Sequence, residues 1–452
     1  MKKTSLLSAC VALCCASALT ACTKAPEPFG PVPSPAQIEW QKMEMNMFVH
    51  FGPNTFSGLE WGTGAEPEDL FRPTALDCRQ WARTAKAAGM KGIIITAKHH
   101  DGFCLWPNPV SPHSVKDIDV LKELSDACRE EGVKFGVYIS PWDRNDPSYG
   151  TPEYNLKYAE TLRSVHDGSY GPIFEQWFDG ACGEGPNGKR QEYDWPLFNA
   201  TVSELQPDAI QFSDSGPGCR WVGNEKGIAG ETNWSTLNTA GFTPGAGGPP
   251  AESLSGGDED GTAWIPAEAD VSIRPGWFWR ASEDDRIKTT DELMDIWYSS
   301  VGRNALLLLN VPADTRGRIP QADSLRLMEF RNRRDDVFAV NLASGPSRLT
   351  DGDYDSYAVL RKPEVTLKAR RSFNLIMLQE YIPLGQRISS FKVEAYDGGR
   401  WQEIAGGTTV GYKRILRIPE CTARKVRITV TGAKATPVLS ELGLYMDAAK
   451  EP

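Results

Sequence analysis

Between about Met45 and Asn310 one pattern recurs, and it limits the fold more than any other feature of the chain. A stretch with helical spacing stops at Gly or Pro, and a short unbroken apolar run follows. Asp77 can cap a helix with Gln80 at the capping-box position. Trp81, Ala85 and Ala88 then share one face, and Gly89 ends the run. Gly92-Ile93-Ile94-Ile95-Thr96 follows as a buried strand. Val120, Leu124 and Cys128 lead to Gly132 and then to Phe135-Gly136-Val137-Tyr138-Ile139. Tyr154, Tyr158, Leu162 and Val165 precede a run over residues 173–178. Leu197, Val202 and Leu205 end at Pro207, before Ala209-Ile210-Gln211-Phe212. Leu293, Ile296, Trp297 and Val301 precede a run over residues 305–309.

These strands are continuous rather than alternating, which means burial on both faces, as in a parallel sheet covered by helices. Repetition over roughly 300 residues predicts an α/β fold of the (β/α)8, TIM-like barrel type across residues 37–335. No GxGxxG or GxxxxGK[ST] follows a strand, which argues against a nucleotide fold. The Gly/Pro stretch over residues 239–262 has no periodicity and is expected to be an active-site loop rather than a surface insertion. After Asp336 the texture changes to short alternating stretches, Phe391/Val393/Ala395 and Val426/Ile428/Val430, separated by turns such as Asp397-Gly398-Gly399. Residues 336–452 therefore read as a β-sandwich, either a carbohydrate-binding-module-like domain or one that supports the barrel.

The first 22 residues read as a targeting segment. Lys2 and Lys3 precede an apolar run over residues 6–19 that is too short for a comfortable membrane span. Leu19-Thr20-Ala21-Cys22 resembles the lipobox of bacterial lipoproteins, which predicts export, lipidation at Cys22 and a membrane anchor on the periplasmic or cell-surface side. A plain secretory signal is the competing reading. Residues 23–36, with five prolines from Pro26 to Pro35, form an extended linker.

Acidic residues outnumber basic ones by 59 to 49, so no basic surface is available for nucleic acid. Four of the ten Cys belong to the leader, and the other six show neither zinc-site spacing nor a disulfide framework. Of 14 Trp, only Trp401 lies after Asp336. Trp is mostly a core residue, but a surplus among Gly-rich loops also suits stacking on sugar rings.

Polar residues crowd the C-terminal ends of the predicted strands: His50, His99, His100, Asp101, Ser140, Asp143, Asp179, Ser213 and Asp214. A barrel places its active site there. His50, His99 and His100 admit three readings: metal ligands, structural residues, or hydrogen-bonding groups for substrate hydroxyls. Adjacent His99 and His100 on an extended chain should point opposite ways, which weighs against a metal. Asp179 ends a buried strand between Phe178 and Gly180, where a carboxylate is costly unless paired or used. Glu225 lies in the loop of Arg220-Trp221-Val222-Gly223-Asn224-Glu225. Two carboxylates on consecutive barrel loops fit the paired-carboxylate scheme of glycoside hydrolysis, although each alone could be a cap or a solvated side chain.

The runs HFG, AKHHDGFCLW, WFDG, RWVGNE and SIRPGWF occur in that order. Together they resemble the α-L-fucosidases of glycoside hydrolase family 29, most closely the branch acting on α-1,3/1,4-linked fucose. The resemblance spans about Met45 to Leu444. It implies Asp179 as nucleophile and Glu225 as acid/base, with Glu231 as the nearby fallback. It implies fucose hydroxyls on His50, His99 and His100, Tyr138 beside the nucleophile, Trp277 against the sugar's apolar side, and Glu60 and Trp61 in a loop over it. The implied reaction is exo-acting, retaining release of fucose from fucosylated oligosaccharides or glycoconjugates of Lewis type, with no cofactor and no metal. The competing classes are a metal-dependent barrel hydrolase and a non-catalytic glycan-binding lipoprotein.

Overall fold

In the computed structural model, which describes residues 26–448, eight parallel strands close into a barrel. Cys22 and the leader lie outside the described residues. In chain order the strands are Met45–Val49, Gly92–Lys98, Lys134–Ile139, Ile173–Trp177, Ile210–Ser213, Cys219–Trp221, Ala267–Ser272 and Ala305–Asn310. Each pairs with the next, and the eighth closes on the first from Met45↔Leu307 to Phe48↔Asn310. Burial is continuous along most of them, as the unbroken apolar runs require. The α/β barrel followed by antiparallel sheets is the fold read from the sequence.

Most crossovers carry the expected helices, among them Cys78–Ala87, Val120–Glu131, Pro152–His166, Trp195–Leu205 and Thr290–Ser299. Asp77 accepts from the Gln80 backbone N–H at 3.0 Å. The Gln80 side chain does not close the capping box. It bonds both the carbonyl and the N–H of Ile319, because tertiary contact offers it two partners. No helix separates the fifth and sixth strands; residues 214–218 join them directly.

The stretch over residues 239–262 holds one helix, Ala251–Gly256, and is flanked by a two-stranded ribbon, Thr236–Leu237 with Ala263–Trp264. Its tip reaches the barrel mouth. The Pro244 carbonyl accepts from Trp195 Nε1 at 2.8 Å. A Cβ on Gly245 would lie 3.0 Å from the Gly180 carbonyl.

The chain enters the barrel from the opposite end. Helix α1, Pro35–Met43, is capped by Ser34 in a capping box with Gln37. Gln37 Nε2 donates to the carbonyls of Gly218 and Trp264, both at 2.8 Å, just before the sixth and seventh strands begin. Trp40 Nε1 donates to Glu175 Oε2 at 2.7 Å inside the barrel. Upstream of α1 the chain is tied to the second domain. Phe29 N–H donates to the Leu384 carbonyl at 3.1 Å, and Arg387 donates to the Glu27 carbonyl at 2.7 Å.

Helix Gln321–Phe338 ends the barrel, and the first sandwich strand begins at Ala343. Five- and four-stranded antiparallel sheets follow. The alternating residues face each other across one ladder, with Phe391 opposite Val430, Val393 opposite Ile428 and Ala395 opposite Val426. Strands Phe373–Glu380 and Val438–Tyr445 are instead buried at every position. One face lines the sandwich core through Ile376, Leu378, Leu442 and Leu444. The other joins the barrel core through Leu375, Met377 and Tyr445. The sandwich thus packs directly on the barrel.

Candidate active site

At the C-terminal ends of the strands lies a cavity of about 150 Å³. Nine of the sequence-predicted residues line it: His50, Glu60, Trp61, His99, His100, Tyr138, Asp179, Glu225 and Trp277. Phe48, Trp177, Ala181 and Asp270 complete the wall. A larger, mostly apolar cavity of about 540 Å³ sits at the opposite end beside α1 and contains neither Asp179 nor Glu225.

Asp179 follows the fourth strand directly. Tyr138 Oη donates to Asp179 Oδ2 at 2.8 Å, and the Ala181 N–H donates to Oδ1 at 2.8 Å. Burial, and then the Asp179 charge, push the Tyr138 phenol well above its ordinary value, so it remains a donor. Tyr138 is itself held by Trp177, stacked at 5.3 Å, which stacks in turn on Phe212 at 3.8 Å.

The three histidines are neutral groups, and two of them have assignable tautomers. Ser140 Oγ donates to the Trp142 carbonyl at 3.0 Å, so it accepts from His100 Nδ1–H at 2.8 Å. Burial brings the His100 pKa down to about 4, so the approach of Nε2 to Asp179 Oδ2 at 3.6 Å is no ion pair at neutral pH. Asn310 Nδ2 donates to Ser272 Oγ and the Trp277 carbonyl, both at 2.8 Å, which leaves Oδ1 to accept from His50 Nδ1–H at 2.9 Å. Burial lowers the His50 pKa to about 3 and that of His99 well below its ordinary value. His50 and His100 each keep Nε2 as an acceptor. His99 Nδ1 is buried without a partner.

The expectation that His99 and His100 point apart is not met. Their ring centroids lie 4.2 Å apart and both line the cavity. The second strand shifts register between Thr96 and Lys98 and ends there, so the pair sits in the turn that follows, where strand alternation no longer applies. Among the described residues, no group of three or more His, Cys, Asp or Glu is placed to hold a metal ion.

Glu225 sits on a braced turn. Lys226 N–H donates to Asn224 Oδ1 at 3.1 Å, and Asn224 Nδ2 donates to the Ile228 carbonyl at 2.8 Å. Trp277 Nε1 donates to Glu225 Oε2 at 3.3 Å. Burial raises the Glu225 pKa, Trp277 opposes the rise, and the charges of Asp179 and Glu60 add to it. Glu231 is absent from the cavity; it lies on the exposed surface, 3.3 Å from Arg303.

Trp277 is fixed by the turn it ends. Arg274 makes a bidentate pair with Asp323 at 2.8 and 2.6 Å and bonds Asp284 at 2.8 Å, and Ser272 Oγ donates to the Gly276 carbonyl at 2.8 Å. Glu60 accepts from the Trp277 N–H at 2.7 Å and pairs with Arg280, which joins the two loops over the cavity. Trp61 stands at the lip, 57% exposed, 5.8 Å from Trp142. Most other Trp are core residues, including Trp40, Trp81 and Trp106.

Other polar strand-end residues brace the wall. Asp143 pairs with Lys98 at 3.0 Å, and Asp101 accepts from Asn54 Nδ2 at 2.9 Å and the Phe103 N–H at 2.7 Å. All six described cysteines are free. Sequence reasoning missed Asn310 and Asp270. Asn310 was readable as the polar end of the 305–310 run. Glu268 and Asp270 were readable as carboxylates two positions apart in a buried strand, hence on one face.

A family model described as α-L-fucosidase matches residues 29–332. The chain is 42% identical to putative α-L-fucosidase 1 of Oryza sativa subsp. japonica, over 94% of the chain and 87% of that protein. It is 41% identical to α-L-fucosidase 1 of Arabidopsis thaliana, over 93% and 89%. Among solved structures, a glycoside hydrolase 29 family member from an unknown rumen bacterium superposes with a TM-score of 0.86 at 41% identity, over 94% of this chain and 79% of that one. A Ruminococcus gnavus family 29 fucosidase in complex with fucose gives 0.86 at 33% identity, over 96% and 98%.

Proposed function

Because the chain belongs to the α-L-fucosidases of glycoside hydrolase family 29, we propose that it is an exo-acting, retaining enzyme that releases α-1,3/1,4-linked L-fucose from branched, Lewis-type glycans. The observation that carries this reading is the meeting, in one small cavity, of two carboxyl groups with different surroundings. Asp179 is oriented by a phenol and a backbone N–H. Glu225 stands at the exposed rim of the cavity against Trp277, and its pKa is raised. Such a contrast separates a nucleophile from an acid.

In the mechanism, Asp179 attacks the anomeric carbon while Glu225 protonates the departing glycosidic oxygen. A covalent fucosyl-enzyme forms. Glu225, now a base, takes a proton from water, which displaces Asp179 and restores the original anomeric configuration. His50, His99 and His100 bind fucose hydroxyls, with Nε2 of His50 and of His100 acting as acceptors. Trp277 and Trp61 present aromatic faces to the sugar's C–H bonds, and Glu60 holds the Trp277 loop in place. The reaction balances without a cofactor.

The test compares fucose release from Lewis-type trisaccharides, 2′-fucosylated oligosaccharides and simple aryl fucosides, with the first-formed anomer read by proton NMR. Preference for the trisaccharides with α-fucose formed first is expected. First-formed β-fucose overturns the retaining mechanism, and preference for 2′-linked substrate overturns the linkage assignment. We further propose that the protein is exported and anchored by lipid on Cys22. Cys22→Ser should then no longer incorporate labelled fatty acid.

A further inference from the structure

We propose that Asp270 is the positioning residue for the turn that carries the general acid, gripping both ends of that turn from the cavity wall. The inference rests on the assignment of Glu225 made above. Asp270 lies on the seventh strand, Ala267–Ser272, and borders the same cavity as Glu225. Its Oδ1 accepts from Trp221 Nε1 at 2.9 Å. Its backbone carbonyl accepts from the Gly227 N–H at 3.1 Å. Trp221 and Gly227 flank Glu225 on either side, so one residue fastens the turn before and after the acid. The Val222 N–H, donating to the Glu268 carbonyl at 3.0 Å, seats the turn on the same strand.

The backbone bonds persist with any side chain at position 270. The bond to Trp221 does not. A carboxyl buried in a barrel wall is costly compared with an apolar side chain of similar size, so its presence calls for a use. Burial also pushes the Asp270 carboxyl well above the usual carboxylate range, so it serves as an acceptor for Trp221 without adding a second negative charge beside Glu225. Without this grip the indole and the start of the turn lose their reference to the strand. A shift of about 1 Å in a catalytic group can cost about 10²-fold in rate.

A misplaced acid has a signature that general loosening lacks. Protonation matters for a sugar leaving group and little for an activated phenol. Asp270→Ala, Asp270→Asn, Trp221→Phe and Glu225→Ala should be assayed on a fucosylated oligosaccharide and on an activated aryl fucoside. Asp270→Ala is expected to lose about 10- to 100-fold in kcat/KM on the oligosaccharide and under about threefold on the aryl fucoside. Asp270→Asn, which keeps an acceptor for Trp221, should recover most of the loss. Trp221→Phe removes the donor instead and should reproduce the split, which keeps the test open if the alanine variant does not fold. Equal losses on both substrates, or none, in Asp270→Ala and Trp221→Phe overturn the inference. If Glu225→Ala itself treats both substrates alike, the acid assignment fails first, and the role of Asp270 falls with it.

Discussion

The phenol of Tyr138 and the carboxylate of Asp179 meet in a 2.8 Å hydrogen bond across neighbouring strands of the barrel mouth. That bond aims one carboxylate oxygen while the Ala181 N–H holds the other. A hydrogen bond to a charged group is typically worth about 1.5–3 kcal/mol. Tyr138→Phe should therefore lower kcat about 10- to 100-fold, with the circular dichroism spectrum unchanged. Wild-type turnover would show that Ala181 alone suffices to orient Asp179.

Removal of the proposed nucleophile itself should be far more severe. Asp179→Ala loses the covalent route and is expected to drop kcat by several orders of magnitude. Fucose affinity, measured by calorimetry, should largely persist, because the histidines and Trp277 remain. Turnover near wild type would transfer the nucleophile role elsewhere.

The acid must begin each cycle protonated, and burial raises the Glu225 pKa. Activity on oligosaccharide is then lost on the alkaline side, as pH rises through that raised value. The alkaline limb of kcat/KM should lie above the ordinary Glu value of about 4.3. Trp277 Nε1 donates to Glu225 and opposes the rise. Trp277→Phe should therefore move the alkaline limb to higher pH, in addition to raising KM. A limb that stays in place would disconnect Trp277 from the titration.

Stability should fall on the alkaline side. Burial raises the Asp101 pKa to about 7 and raises both carboxyls of the Glu175–Glu268 pair, where the Glu175 charge adds to the rise at Glu268. A raised acid contributes stability that is complete below its unfolded value, near 3.9 for Asp, and is lost as pH climbs through its folded value. Buried His50, His100 and His166, lowered to about 3, 4 and 4, act oppositely, and their effect fades as pH rises past about 6.5. Above that pH the raised carboxyls outweigh the fading histidines. The melting temperature should drop from pH 6.5 to 8, with Asp101 contributing about 1 kcal/mol. Asp101→Asn should flatten the slope. A melting temperature that rises over this interval would contradict the assignment.

The barrel was legible because both-face burial leaves unbroken apolar runs at 92–98 and 305–310, and local spacing suffices to see them. Asp179 and Glu225 were legible as residues whose chemistry is out of place in their setting. What stayed hidden depended on pairings far apart in the chain. The tautomer of His50 is set by Asn310, 260 positions away, and the Trp277 loop is held by Glu60, 217 positions away. The direction of His99 and His100 turned on a register shift in the second strand that composition does not announce. Glu231 follows Glu225 closely in the chain and has the same chemistry. Only the fold separates the two, by turning Glu231 out to Arg303.

Helix α1 plugs the end of the barrel opposite Asp179, and the residues before it are tied to the sandwich. This gives the molecule two poles. A lipid on Cys22, as proposed, would hold the molecule from the side where Glu27 and Phe29 are fastened to the sandwich. The catalytic mouth would then look outward into the aqueous phase. Such a posture would favour glycans free in that phase over sugars rooted in the anchoring membrane.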